Sequence, residues 1–202
     1  MISAISERDC CGCAACVQLC PKSCITMEEH SLGHLFASVD SDACIRCGLC
    51  NSVCPMNNPV QKTDFRQEVY AAYSKLPSVR SRGSSGGMFE TFARYLIKQG
   101  YVVYGAAFDE NLRLRCTSAK SESELEPLTK SKYLQSDFSE KYHEIQSLLN
   151  CGKKVFVTAT PCQISALNNY LGKAYPNLLT MDFFCHGVPS QRFFDECIRY
   201  FA

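Results

Sequence analysis

Cys10, Cys13, Cys16 and Cys20 precede Pro21, and Cys44, Cys47, Cys50 and Cys54 precede Pro55. Each cysteine of the first set has a counterpart 34 positions later, so the run C-x2-C-x2-C-x3-C-P is written twice. Thiolates at this spacing wrap iron–sulfur clusters. Three of them close three corners of a cubane, and the fourth cysteine of the run reaches the other cluster. The spacing therefore predicts two 4Fe-4S clusters with interleaved ligands. Cys10, Cys13, Cys16 and Cys54 would hold one, and Cys44, Cys47, Cys50 and Cys20 the other. Each proline removes a backbone donor and fixes the turn beside a ligand. The chemistry implied is transfer of one electron at a time. Zinc and disulfides are the bland alternatives, but structural zinc favours cysteine pairs with longer spacers and disulfides need an oxidising compartment.

The chain has 15 cysteines, and those outside the runs are Cys11, Cys24, Cys116, Cys151, Cys162, Cys185 and Cys197. Cys11 sits beside a ligand and breaks the repeat. With Cys24, Cys116, Cys151 and Cys197, it reads as a small packing residue. Cys162 and Cys185 differ because of the segments around them.

The elements that must position these groups divide the chain. Residues 1–57 read as an α+β, ferredoxin-like dicluster module. In it, Ile25-Thr26-Met27 and Leu35-Phe36-Ala37-Ser38-Val39 form a hairpin around His30-Ser31-Leu32-Gly33-His34. Residues 58–68 are polar and without period, a linker. Residues 69–202 read as an α/β domain with a mixed, partly parallel sheet. Strands are predicted at 69–73, 102–108, 112–116, 155–157 and 178–184. Helices are predicted from Met88, from near Ser139, from Thr160-Pro161 and over 190–201, each with apolar residues at helical spacing.

Three unusual segments each follow a predicted strand, where ligands sit in open α/β sheets. In Ser84-Ser85-Gly86-Gly87 the glycines let an anion approach free amides at a helix start. Arg80 and Arg82 could assist, and the bland reading is a serine cap with a turn. In Thr158-Ala159-Thr160-Pro161-Cys162-Gln163, Thr160 is a natural N-cap and Pro161 a natural first helical residue. Cys162 then falls in a first helical turn, which lowers a thiol pKa. In Cys185-His186-Gly187-Val188-Pro189 a thiol and an imidazole are paired at a strand end. A buried small residue and a structural histidine are the bland readings of these two. The stretch 130–136, with Lys130, Lys132 and Tyr133, could grip a phosphate and a ring, or be a solvated loop.

Composition bounds the partners. Formal net charge is +1 from 21 basic and 20 acidic residues, so no nucleic acid or anionic membrane partner is indicated. No stretch approaches a transmembrane span, and Met1–Glu7 lacks the regions of a signal peptide. Reduced thiols for cluster ligation point to the cytoplasm. The C-x3-C-x2-C run of radical S-adenosylmethionine enzymes is absent.

Ser84-Ser85-Gly86-Gly87-Met88-Phe89, Val103-Tyr104-Gly105-Ala106-Ala107-Phe108, Ser131-Lys132-Tyr133, Thr160-Pro161-Cys162-Gln163 and Cys185-His186-Gly187-Val188-Pro189 occur in one order over 69–202. In this the chain resembles the coenzyme F420 hydrogenase/dehydrogenase beta-subunit family, in members that carry their own cluster module. The resemblance implies an FAD-dependent iron–sulfur oxidoreductase. Its flavin would exchange hydride with a substrate or deazaflavin, and single electrons with the clusters. It implies cofactor contacts from Ser85, Gly86, Gly87, Lys132 and Thr160. Cys162, Cys185 and His186 would stand near the reacting ring or a further cluster. Electrons would leave to a redox partner protein or small electron carrier. Family members run beyond the position matching Ala202, so the resemblance also implies a C-terminally truncated chain. The rival reading is a non-catalytic electron-transfer adaptor whose second domain docks a partner.

Overall fold

The computed structural model describes residues 9–59 and 68–201. Of the expected linker, 60–67 lie outside the described residues, as do 1–8 and 202. The duplicated run folds as a duplicated backbone. Helix α1 (Ala15–Leu19) follows Ala14 at φ 59°, and α2 (Leu49–Val53) follows Gly48 at φ 82°. Gly12 and Arg46, again equivalent, are left-handed at φ 64° and 57°. The hydrogen bonds repeat as well: Val17 N donates to Ala14 O at 3.1 Å, and Asn51 N to Gly48 O at 3.0 Å. Each helix stops at its fourth cysteine, because the following proline disfavours helical backbone in the residue before it. Between the helices lies the expected hairpin, β1 (Ile25–Glu29) paired antiparallel with β2 (Leu35–Val39).

The rest is an α/β layer structure. Its elements are α3 (Pro77–Arg82), a 3-10 turn at Ser85–Gly87, α4 (Met88–Lys98), β3 (Tyr101–Phe108), β4 (Leu114–Ala119), α5 (Lys141–Asn150), β5 (Lys154–Thr158), α6 (Pro161–Leu171), β6 (Leu178–Met181) and α7 (Gln191–Phe201). The sheet runs β4-β3-β5-β6. Its β3–β4 pair is antiparallel, and β5 is parallel to both β3 and β6. The sheet is thus mixed and partly parallel, as the alternation of strand and helix requires. Thr160 and Gln163 form a capping box at the start of α6 with Pro161 in its first turn, and Gly172 ends it at φ 66°.

One sheet face packs on α4 through Ala93, Leu96, Val103 and Phe156. The other packs on α5 and α6, which are a middle layer covered from both sides. Ala15 of α1 and Val53 of α2 share one buried cluster with Tyr142, Ile145, Ala166 and Leu167. A helix apolar on both sides belongs inside. The cysteine module is therefore held by the core of the α/β domain.

Two sequence expectations fail. Residues 69–73 form no strand: Val69 is 92% exposed. The segment is apolar, but no strand lies beside it to take its backbone groups. Ser74 N donates instead to Gly86 O at 2.8 Å. The glycine segment consequently follows α3 and not a strand. β6 ends at Met181, and 182–184 continue as exposed coil. Helix α7 docks by stacking Phe194 on Phe108, with ring centroids 5.8 Å apart, and by an Arg113–Asp195 ion pair at 2.9 Å. No helix among the described residues is long and apolar enough to cross a membrane.

Candidate functional site

Cys20, Cys44, Cys47 and Cys50 line one cavity, although Cys20 belongs to the first run and the others to the second. α2 supplies Cys50 from its first turn, and the left-handed bends at Arg46 and Gly48 turn the chain around the cavity. Cys20 follows the last residue of α1. Burial raises its thiol, but hydrogen bonds from the backbone of Cys24, Lys22 and Ser23 outweigh it, and the thiol lies below its ordinary value. Cys44 Sγ accepts from Arg46 N at 3.4 Å. Among the described residues no carboxylate or imidazole lines the cavity. An all-sulfur donor set is the soft environment that iron–sulfur clusters select. Among the described residues no three His, Cys, Asp or Glu side chains gather as a single ion would require. A cubane is a cage, and its thiolates stand further apart than those around one ion. Cys24 also lines this cavity, with its sulfur 3.5 Å from that of Cys20.

The other expected set is gathered beneath the α/β domain. Burial, and then the neighbouring Cys10 and Cys54 thiols, push Cys16 up to about 12. Cys54 of the second run thus stands among cysteines of the first. Thiols crowded in this way are relieved when cations come between their sulfurs. Three side chains fasten the first run. Tyr142 Oη, from α5, donates to Cys13 O at 2.8 Å. Gln135 Nε2 donates to Cys11 O at 3.0 Å. The Cys162 thiol hydrogen-bonds to that of Cys11. A side-chain carbon on Gly12 would meet Leu35 O at 2.9 Å and displace Gln135 Nε2, and with Gly12 at φ 64° the position favours glycine. The second run is tied by Asn169 Nδ2 of α6, which donates to Asn58 O at 2.9 Å and to Val53 O at 3.4 Å.

The strand-end residues divide. Thr160 and Cys162 follow β5, and Cys185 and His186 follow β6, so both segments lie at the same carboxyl edge of two parallel strands. Cys185 and His186 are exposed. Cys162 is half-buried, 3.2 Å from Thr160 Oγ1. Its thiol is pushed up, by the hydrogen bond to Cys11 and then by burial. This reverses the sequence expectation, since a neighbouring thiol and burial outweigh the helix terminus. Gln135 and Ser136 carry a connection that no sequence pattern announced. Gln163 Nε2 donates to Ser136 O at 2.9 Å, and Gln135 N to Pro189 O at 3.4 Å. One short stretch thereby ties the first cysteine run to both strand-end segments.

The glycine segment is occupied by its own chain. A side-chain carbon on Gly86 would meet Tyr73 Cβ at 2.9 Å, and one on Gly87 would meet Val79 O at 2.9 Å. Ser84 Oγ accepts from Ser131 N at 3.0 Å. Arg82 pairs with the buried Glu90 at 2.8 Å, and Arg80 lies over the Tyr73 ring. Lys132 Nζ donates to Pro127 O at 2.8 Å and to Thr129 O. Burial, and secondarily Lys130, bring its pKa down to about 8.

Comparison with known proteins agrees with this division. Residues 9–58 match a 4Fe-4S dicluster domain. Residues 69–141 and 152–202 match the N-terminal and C-terminal parts of the coenzyme F420 hydrogenase/dehydrogenase beta subunit. Ferredoxin 7Fe of Hydrogenibacillus schlegelii is 37% identical over 60 residues, 30% of this chain and 69% of that protein. The coenzyme F420-dependent sulfite reductase of Methanocaldococcus jannaschii is 28% identical over 169 residues, 78% of this chain. The chain spans only 24% of that reductase. A chain of the F420-reducing NiFe hydrogenase complex of Methanosarcina barkeri shares the fold with a TM-score of 0.52 at 17% identity, over 63% of this chain and 47% of that one.

Proposed function

The chain belongs to the coenzyme F420 hydrogenase/dehydrogenase beta-subunit family and carries a 4Fe-4S dicluster domain, and from that premise we propose that it conducts electrons between a hydride carrier at the carboxyl edge of its sheet and an external redox partner. Bound clusters supply transfer of single electrons. Cys10, Cys13, Cys16 and Cys54 hold one, and Cys44, Cys47, Cys50 and Cys20 the other. The observation that carries this reading is the crossing of Cys20 into the cavity of the second run. Gln135 and Tyr142 fix the first run by its own carbonyls, beside the helix start that follows β5. That is the edge where α/β sheets bind ligands. The hydride carrier is a deazaflavin of the F420 type, the coenzyme for which the sulfite reductase relative is named; its hydride amounts to two electrons and a proton, so one electron would go to each of the two clusters and the proton to solvent.

FAD, which the resemblance implied, finds no open cradle at the glycine segment and Lys132 among the described residues. Gly86 and Gly87 use their bareness against Tyr73 and Val79, and Lys132 is committed to carbonyls. Thr160 serves as a helix cap, and Cys162 as a contact between domain and module.

Anaerobic reconstitution with iron and sulfide tests the proposal. About eight iron atoms per chain are expected, with visible absorbance that reduced F420 bleaches. Tightly held zinc, or half that iron, would overturn it. The closed glycine segment favours a second reading, an adaptor whose α/β domain only docks a partner. Iron-complete protein bleached by dithionite but untouched by reduced F420 would support the adaptor.

A further inference from the structure

The shift of 34 positions pairs Cys11 with Ile45, Gly12 with Arg46, Ala14 with Gly48 and Ala15 with Leu49. In the first run this face is a docking surface already in use. Cys11 meets Cys162, Gly12 lies against Gln135, and Ala14 and Ala15 are buried. In the second run the matching residues Ile45, Gly48 and Leu49 form the rim of the cavity that Cys20, Cys44, Cys47 and Cys50 line, and this rim is partly open to solvent. Ile45 is 56% exposed and Leu49 41%, and Arg46 and Cys47 are exposed too. A side-chain carbon on Gly48 would meet nothing within 4 Å. The first run thus demonstrates that this backbone shape seats a protein surface next to its cysteines.

The free copy differs from the used one in a way that describes its occupant. Small residues are replaced by two apolar side chains, Ile45 and Leu49, beside two cations. Lys22 is the charged residue lining the cavity, and Arg46 sits between Ile45 and Cys47. No carboxylate among the described residues lines it. The acidic residues preceding the run are Asp40 and Asp42, and Asp40 is spent on its own turn, accepting from Asp42 N at 3.0 Å and Ala43 N at 3.3 Å. An apolar centre with a cationic rim complements a surface with an apolar centre and a carboxylate rim.

We infer that Lys22, Ile45, Arg46, Gly48 and Leu49 form the docking face for a small electron-carrier protein whose redox group is ringed by carboxylates. The inference rests on the second run being a cluster site. One electron crosses the contact, one side being oxidised and the other reduced by one unit, and no bond or proton changes with it. The first run would then communicate inward with the sheet edge and the second outward with the carrier.

Calorimetric titration of the reconstituted full chain with a plant-type 2Fe-2S ferredoxin of net negative charge tests this. Binding is expected to weaken as salt rises from 0.05 to about 0.5 M, since rim charges are screened. Lys22→Glu with Arg46→Glu should raise Kd about tenfold or more. Ile45→Ser with Leu49→Ser should also weaken binding, but leave the salt dependence intact. Iron is counted on every variant, so loss of a cluster is separated from loss of docking. Wild-type binding indifferent to salt would overturn the inference without any variant. So would equal or tighter binding of the basic carrier cytochrome c, or a self-association that the double variants abolish. Failure to bind iron would instead defeat the cluster reading on which it stands.

Discussion

The two cysteine runs have one spacing, one backbone and one short helix, and both helices reach the α/β core, yet the residues that open the helix are buried in the first run and more exposed in the second. The difference lies in the residues between the ligands. Gly12, Ala14 and Ala15 let α1 approach α5 and α6 closely, and Ala15 is 0% exposed. Arg46, Gly48 and Leu49 stand at the matching positions and are more exposed, Leu49 at 41%, while α2 joins the core through Val53. The ligands set what a run can bind, and the spacers set what it can touch. A duplicated cluster site becomes a conductor with an inner and an outer end when its spacers diverge.

The largest expected effect breaks the comparison at the ligands. Cys20→Ala and Cys47→Ala should each lose about four of about eight iron atoms and leave the same residual spectrum. Cys54→Ala and Cys13→Ala should leave the other one. Electron paramagnetic resonance of the dithionite-reduced variants reads this directly. If Cys20→Ala instead matches Cys13→Ala, each run holds its own cluster and the interleaving is wrong.

The next effect exchanges spacers. Ala15→Leu places the side chain of the second run into a filled core, where overpacking costs about 1–3 kcal/mol. The reverse change, Leu49→Ala, should stay within about 0.5 kcal/mol, as surface changes do. Thermal unfolding of the reconstituted chain resolves the two, at about 2–4 °C per kcal/mol for this size. Equal losses would mean that the outer face is packed as tightly as the inner one.

The spacing of eight cysteines made the duplication legible, and apolar periodicity placed β1 to β5 and α4 to α7. Thr160-Pro161 announced its helix because cap and first-turn chemistry are local. Residues 69–73 misled because a short apolar run does not say whether a neighbouring strand exists. That error also misplaced Ser84–Gly87, which follows α3 and whose glycines lie close against Tyr73 and Val79. The role of Gln135 and Ser136 was not legible, since it depends on three segments distant in sequence arriving together. The inward face did leave a trace. The small residues Gly12, Ala14 and Ala15 stand where the second run has Arg46, Gly48 and Leu49, a contrast visible once the repeats are aligned.

The smallest effects separate the ties that hold the two runs. Tyr142 is fully buried, and Tyr142→Phe removes the donor to Cys13 O, for an expected loss of about 0.5–1.5 kcal/mol. Asn169→Ala removes the donor to Asn58 O at a wetter site, where water replaces it, and should cost about 0.5 kcal/mol or less. The two also differ in kind. Loosening the first run disturbs the inner end, so Tyr142→Phe should slow bleaching by reduced F420 while leaving ferredoxin affinity unchanged. Asn169→Ala borders the outer run and should leave that bleaching alone. If both variants altered the bleaching rate equally, the ends would not be functionally distinct, and the divergence of the spacers would be a matter of packing alone.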